Sequence, residues 1–456
     1  MTLQSINPAT EEVLAEYQEE TSNDIAIRLS RAEEAYKVWR SVPVGERLQY
    51  IHEYTQKLRT SSDELARTIS LEMGRVYSDA KAEVEKCISL CELYVHNAER
   101  MLQPEAVDLD GSKAYVRYDS LGLVLGVMPW NFPYWQTLRF AIPALITGNA
   151  VLVKLASNVQ GCGQALEDVF IESGFQEGLY QNLGISASAV ESIIRDPRIQ
   201  GVSVTGGERA GSSVASVAGS EIKKTVLELG GSDPFIVFPD VDITSVAKEA
   251  TQARLRNCGQ SCNAAKRFIV HEDVYDEFVT QLIEQFEKIT IGDPFAEGVD
   301  MGPLATSSAR EDIERQVRDS IGNGAILRTG GGRVGNVGFF YQPTVFEVRE
   351  TEVPVFSEEV FGPVAPVIRF RNEEEAVLLA NSSRLGLGSS VWTKDRERID
   401  RMIPLIEAGN VFVNQRVSSD IHLPFGGVKK SGYGRELGKY GLMEWVNVKS
   451  VKIAGV

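Results

Sequence analysis

The chain is predicted to be an α/β protein with two doubly wound parallel-sheet domains in series and a small β arm. Three observations carry that expectation. Short apolar runs alternate with helical stretches through most of the sequence, the pattern of strand, crossover helix and parallel strand. The alternation occurs twice, before and after about residue 231, in a chain of 456 residues, too long for one hydrophobic core. A segment that alternates around Asp110-Gly111 interrupts the passage from a helical block to the first strand–helix block, and reads as a hairpin.

Taken in order, residues 22–100 are helical in pattern. Ser22-Asn23-Asp24 caps a run with Ile25, Leu29, Ala32, Ala35 and Trp39 at helical spacing, and further helices fall around Leu48–Leu58 and Ala80–Val95. Val107 to Tyr118 forms the hairpin, either an arm that pairs with another subunit or a small edge sheet. Leu123–Met128, Ala150–Lys154, Gly201–Thr205 and Thr225–Leu227 are strands, with helices at Phe140–Ile146 and Gly161–Glu172. From Phe235 the pattern repeats, with strands at Arg267–Val270, Gly324–Arg328, Ala365–Arg369, Ser389–Thr393 and Asn410–Asn414 and a helix at Val274–Ile289. Glu373-Glu374-Glu375 is a solvated helix face.

A net charge of -16 argues against nucleic acid or an anionic membrane surface as partner, though local arginines can still bind a small anion. No apolar run approaches the ~20 residues of a spanning helix, and the start lacks a secretory pattern. Cys87, Cys91, Cys162, Cys258 and Cys262 make an odd set without secreted-type spacing, as expected for reduced thiols in a cytoplasm. With only 4 histidines, no metal site is expected.

One literal G-x-G-x-x-G occurs, at Gly330, Gly332 and Gly335, but no helix follows it, so it is read as a turn. Thr205-Gly206-Gly207-Glu208-Arg209-Ala210-Gly211 does better: it leaves a strand and opens a helix, aiming backbone N–H groups at a phosphate. Two further residues suggest attack on a carbonyl. Cys262 sits in a tight polar loop, Asn257-Cys258-Gly259-Gln260-Ser261-Cys262, and Glu228 ends an apolar run before Leu229-Gly230-Gly231. A thiolate supplies the nucleophile and a carboxylate can later activate water.

These pieces together resemble the NAD(P)-dependent aldehyde dehydrogenase superfamily over essentially the full length. The matching stretches are Pro129-Trp130-Asn131-Phe132-Pro133, Leu152-Val153-Lys154, Thr205-Gly206, Leu227 to Gly231, Asn257 to Cys262, Glu359-Val360-Phe361-Gly362-Pro363 and Pro424-Phe425-Gly426-Gly427. The resemblance implies Rossmann-like sheets, a cofactor-binding domain at 1–106 and 126–230, a catalytic domain at 231–420, and oligomerisation through 107–125 and 421–456. It also implies that Cys262 attacks the aldehyde carbon, that the Asn131 amide and the Cys262 N–H hold the oxyanion, and that Glu228 activates water for thioester hydrolysis. Lys154, Gly206, Glu359 and Phe361 would contact the cofactor, with Trp130, Gly211 and Leu229 beside them.

Two departures bear on the cofactor. Relatives that prefer NAD usually carry glutamate where this chain has Ser157; serine removes the repulsion of a 2′-phosphate, so NADP is expected over NAD. Gly207 stands where many relatives have a serine bonding the pyrophosphate. Arg139, Arg256 and Ser419 are similar to the carboxylate-binding positions of succinate-semialdehyde dehydrogenases, and Arg makes strong paired hydrogen bonds to a carboxylate. The expected substrate is therefore succinate semialdehyde or a similar ω-carboxy aldehyde, and the expected assembly a homodimer or homotetramer. Where some relatives of this subgroup place a second cysteine, two residues after the nucleophile, this chain has Ala264; whether Cys258 reaches Cys262 stays open. A CoA-acylating enzyme typically lacks the general base, and a non-catalytic relative would have lost Cys262, Glu228 or Asn131; all three are present.

Overall fold

The computed structural model describes residues 2–109 and 112–454. The turn pair Asp110-Gly111 lies outside the described residues. Strands Glu105–Leu109 and Ser112–Ser120 pair antiparallel on either side of it, as the hairpin reading requires.

Strand–helix alternation produces the two expected sheets. The first runs in the order 432–433, 224–228, 199–205, 123–128, 150–155, 180–182, parallel except for its first, antiparallel member. Leu123–Met128 and Ala150–Leu155 are buried almost throughout, which is why they read as unbroken apolar runs. The chain starts this sheet in the middle, fills one side, then crosses to the other. The switch falls between Leu123–Met128 and Ile199–Thr205, and the loops leaving their carboxyl ends carry Trp130-Asn131 and Gly206-Gly207. Such a crevice is where open parallel sheets bind ligands.

The second sheet has the order 326–329, 344–347, 364–370, 265–271, 233–237, 388–392, 410–413, parallel but for the antiparallel edge strand. Each sheet has its own apolar core, one including Val124, Leu152, Val202 and Ile142, the other Phe235, Phe268, Val367 and Val391.

Four sequence readings are revised. The first helix, Ser22–Trp39, is capped by Thr21, whose side chain and that of Asp24 bond each other's backbone N–H, so the cap lies one residue earlier. The helix expected at Phe140–Ile146 starts at Pro133, since proline at a helix start loses no intrahelical bond. Short strands Tyr180–Asn182 and Thr344–Glu347 and an N-terminal pair, Thr2–Ile6 with Val13–Gln18, were not expected. The segment 421–456 is divided: Leu437, Leu442 and Trp445 enter the first core, and only Val446–Ala454 joins the arm, pairing with Ser112–Ser120. Trp445 is apolar enough to demand burial, and its indole packs edge-on to Phe140 at 4.9 Å. Gly330 and Gly335 have positive φ in the connection after Ile326–Thr329, with no helix following, consistent with a turn.

The helix Tyr77–Met101 matters most for the site. Its buried side chains, among them Ala80, Val84, Cys87, Cys91, Tyr94 and Ala98, recur three or four residues apart, so one face packs on the first core. Glu83 on this face is buried; its Oε1 accepts from the backbone N–H groups of Tyr134 and Trp135 at 3.0 Å each, and it pairs with buried Arg75. That carboxylate caps the Pro133–Ile146 helix, which begins two residues after Asn131.

Candidate active site

Cys262 lies at the junction of two cavities. One, of about 530 Å³, has Lys86, Trp135, Arg139, Arg256, Ser419 and Phe425 on its walls. The other, of about 240 Å³, is lined by Trp130, Asn131, Gly206, Leu229, Glu359 and Phe361. Among the described residues, only Cys262 and Gln136 border both. A third space of about 770 Å³ continues past Trp130, Glu359 and Phe361 toward Glu208 and Arg384.

The loop that carries the sulfur is held from several sides. Asn257, Cys258 and Gly259 take left-handed conformations in succession, with φ of 55°, 56° and 72°. Asparagine and glycine adopt this readily, whereas a cysteine there costs about 1–2 kcal/mol. Asn257 Nδ2 donates to the carbonyls of Asn131 at 2.9 Å and Gln260 at 3.1 Å. The buried ammonium of Lys266 donates to the carbonyls of Ser261 and Cys262, both at 2.7 Å. Arg254, also buried, bonds the carbonyls of Ala265, Val360 and Gly362, tying this loop to the one bearing Glu359 and Phe361.

Burial pushes the Cys262 thiol up to about 11, with Glu359 and Asp233 adding to the effect and Arg139 and Lys266 opposing it. The resting sulfur is therefore protonated at neutral pH, and attack needs a base. Asn131 is buried, and its Nδ2 donates to Gln260 O at 3.1 Å, which leaves one amide hydrogen for another acceptor. Cys258 lines a separate small cavity with Gly74, Arg75 and Asn257, and its buried thiol is raised to about 12. It packs there and does not border either cavity at Cys262.

Glu228 ends the Lys224–Glu228 strand, where its carbonyl accepts from Gly206 N at 3.0 Å. Its carboxyl is buried without a hydrogen-bond partner among the described residues and borders neither cavity. Burial, reinforced by Glu436, holds it well above the usual carboxylate range, and Arg139 and Arg435 pull the other way. A strongly basic carboxylate results once it ionises. Arg139 borders the first cavity, yet its guanidinium is ion-paired with buried Glu436. Arg256 is exposed toward the same cavity and makes no ion pair among the described residues, while Ser419 is buried and accepts a hydrogen bond from Lys86 at 2.6 Å.

The expected cofactor residues form a cleft on the other side. Nothing lies within 4 Å of where a Cβ would stand on Gly206 or Gly207, so glycine there leaves open space beside the helix Glu208–Ser220. Gly211 instead makes room for Leu229. Glu359 Oε1 accepts from Gly231 N at 3.0 Å and stands 3.5 Å from Lys266 Nζ. The Phe361 and Trp130 rings meet edge to face at 5.8 Å. Lys154, aligned with Val127 in the sheet, is buried, and its ammonium makes no ion pair or hydrogen bond among the described residues. Ser157 is exposed and opens a short turn just after that strand. A glycine-lined gap, an unpartnered buried ammonium and a fixed carboxylate fit a dinucleotide.

Sequence reasoning did not find Lys86, Lys266 or Glu436. Lys86 follows Glu83 by three residues in a charge-rich helix and looks like half of a surface pair, while Lys266 and Glu436 carry no motif.

The family model of the aldehyde dehydrogenase family matches residues 1–451. The succinate-semialdehyde dehydrogenase (NADP+) 1 of Mycobacterium tuberculosis is 45% identical over 457 residues, covering 100% of both chains. The corresponding enzyme of Mycobacterium avium is 46% identical, covering 99% of this chain and 97% of its own. Among solved structures, succinic semialdehyde dehydrogenase from Streptococcus pyogenes in complex with NADP+ superposes with a TM-score of 0.97 at 36% identity, over 99% of this chain and 100% of that one. The chain belongs to the aldehyde dehydrogenase family.

Proposed function

We propose that this protein oxidises succinate semialdehyde, or a similar ω-carboxy aldehyde such as glutarate semialdehyde, to the carboxylate with NADP. The observation that carries the reading is Cys262 between two unlike cavities, one cationic and one lined by glycine and aromatic rings. The names of relatives that are 45–46% identical along the chain support both substrate and cofactor.

In this reading the Cys262 sulfur attacks the aldehyde carbon as its proton leaves for a base, and the carbonyl oxygen becomes an oxyanion held by the free Asn131 N–H and the Cys262 amide. NADP, when bound, accepts the hydride. Its adenosine ribose and 2′-phosphate would lie by Lys154 and Ser157, its pyrophosphate by Gly206 and Gly207, and its nicotinamide end by Glu359, Phe361 and Trp130. Loss of hydride from the thiohemiacetal leaves a thioester on Cys262. Glu228, rotated from its buried position, takes a proton from water, which attacks the thioester and returns the thiol. Arg256 and Ser419 receive the distal carboxylate. The arm formed by Glu105–Leu109, Ser112–Ser120 and Val446–Ala454 serves pairing into a homodimer or homotetramer, and the protein works in the cytoplasm. No described helix is long and apolar enough to cross a membrane.

The test is absorbance at 340 nm with succinate semialdehyde and NADP and no CoA. Steady NADPH formation is expected. A signal only with CoA would replace the hydrolytic reading by acyl transfer, and silence with every aldehyde would end it.

A further inference from the structure

Most charged side chains around the cavity of about 530 Å³ at Cys262 can be paired off. Arg139 is bound to Glu436, Glu83 to Arg75, and Arg416 to Glu249 at 2.8 Å. Two cations are left without an anionic partner among the described residues, Arg256 and Lys86. Lys86 is half-buried on the Tyr77–Met101 helix, its Nζ 4.1 Å over the Trp135 ring and 2.6 Å from Ser419 Oγ. An ammonium has three hydrogens; the ring face and the hydroxyl leave it free to donate into the cavity.

We infer that Lys86 is a specificity-determining residue, receiving the distal carboxylate of the aldehyde together with Arg256. The inference rests on the ω-carboxy aldehyde reading of the substrate. Two unpaired cations in a partly enclosed space call for an anion, and Ser419, already bonded to Lys86, shares the same carboxylate through its hydroxyl hydrogen. Arg139 stands on the same wall, but its charge is already opposed by buried Glu436.

Titration gives the idea a second handle. Burial, with Arg256 and Arg139 nearby, brings Lys86 down to about 7, opposed by Cys87 and Glu83 on its own helix. Asp420 next to Ser419 also feels it, but is bonded to His422 N and Nδ1. Lys86 is charged below this value and neutral above it, so KM for a carboxylate-bearing aldehyde should rise as pH climbs through about 7.

The experiment compares kcat and KM for succinate semialdehyde and for butanal, with NADP, in the wild type and in Lys86→Met and Lys86→Arg. For Lys86→Met the kcat/KM ratio of succinate semialdehyde to butanal should fall ~10–100-fold, mainly through KM, as expected for loss of one charge-assisted hydrogen bond. Lys86→Arg should keep the ratio within about threefold while abolishing the rise of KM near neutral pH, because a guanidinium stays charged. Equal losses on both aldehydes, or an unchanged ratio, would overturn the assignment. If Lys86→Met does not fold, the pH profile of Lys86→Arg decides alone, a persisting limb refuting it. A wild type that does not distinguish the two aldehydes refutes the substrate reading itself, a separate result from a discriminating wild type whose variants behave alike.

Discussion

The two cavities that meet at Cys262 are built by opposite means. The cofactor side is made of backbone: Gly206 and Gly207 leave space, Gly230 lets the Glu359 carboxylate approach the chain, and Glu359 is fixed by a peptide N–H. The other side is made of long side chains drawn from distant parts of the chain, Lys86 from one helix, Arg256 from the nucleophile loop and Ser419 from a late loop. A wall of backbone constrains a ligand by shape and tolerates few substitutions. A wall of flexible charges can be retuned one residue at a time without touching the chemistry.

Removing the thiol at the junction of the two cavities should have the largest effect. Cys262→Ala is expected to abolish NADPH formation, at least ~10⁴-fold in kcat, while NADP affinity by fluorescence titration stays within about twofold. Measurable turnover would discard the sulfur as nucleophile, and a collapse of NADP binding would show that the cofactor side depends on this loop. The next effect concerns the thiol's environment. In the cofactor-free protein, iodoacetamide should alkylate Cys262 about tenfold faster per pH unit, hence ~10³-fold between pH 7 and 10, because only the thiolate reacts. A rate already level above pH 8 would mean that the cationic side, not burial, governs the sulfur. Four other cysteines are buried, so mass mapping can assign the label. The smallest effect is confined to the far end of the cofactor side: Ser157→Glu should shift the NADP/NAD ratio of kcat/KM toward NAD by ~10-fold or more, with succinate semialdehyde KM unmoved. An unaltered ratio would show that charge at this position does not select the cofactor.

The same contrast explains what could be read from the chain alone. Strands such as Ala150–Leu155 are buried on both faces and show as apolar runs, whereas Tyr180–Asn182, with Gln181 and Asn182 inside it, carries no such signal. Gly206, Glu359 and the Cys262 loop sit in local motifs because backbone geometry needs fixed neighbours. Lys86 could not be recognised, since its meaning depends on Trp135 and Ser419, one far along the chain and the other almost at its end. Arg139 was visible by position, but the ion pair with Glu436 that occupies it was not. Glu228 was legible as a residue and illegible as a rotamer: its buried orientation follows from the surroundings of Glu436 and Arg139.

Glu83 gives the arrangement a further property. Because its carboxylate grips the first amides of the Pro133–Ile146 helix, the helix that bears Lys86 and the turn that bears Asn131 form one rigid strut. A lineage adapting to bulkier aldehydes could not slide that helix outward without dragging Asn131 along with it. Diversification is thereby channelled into exchanging side chains on a fixed frame, and Glu83→Ala should loosen that frame enough to trade turnover for promiscuity.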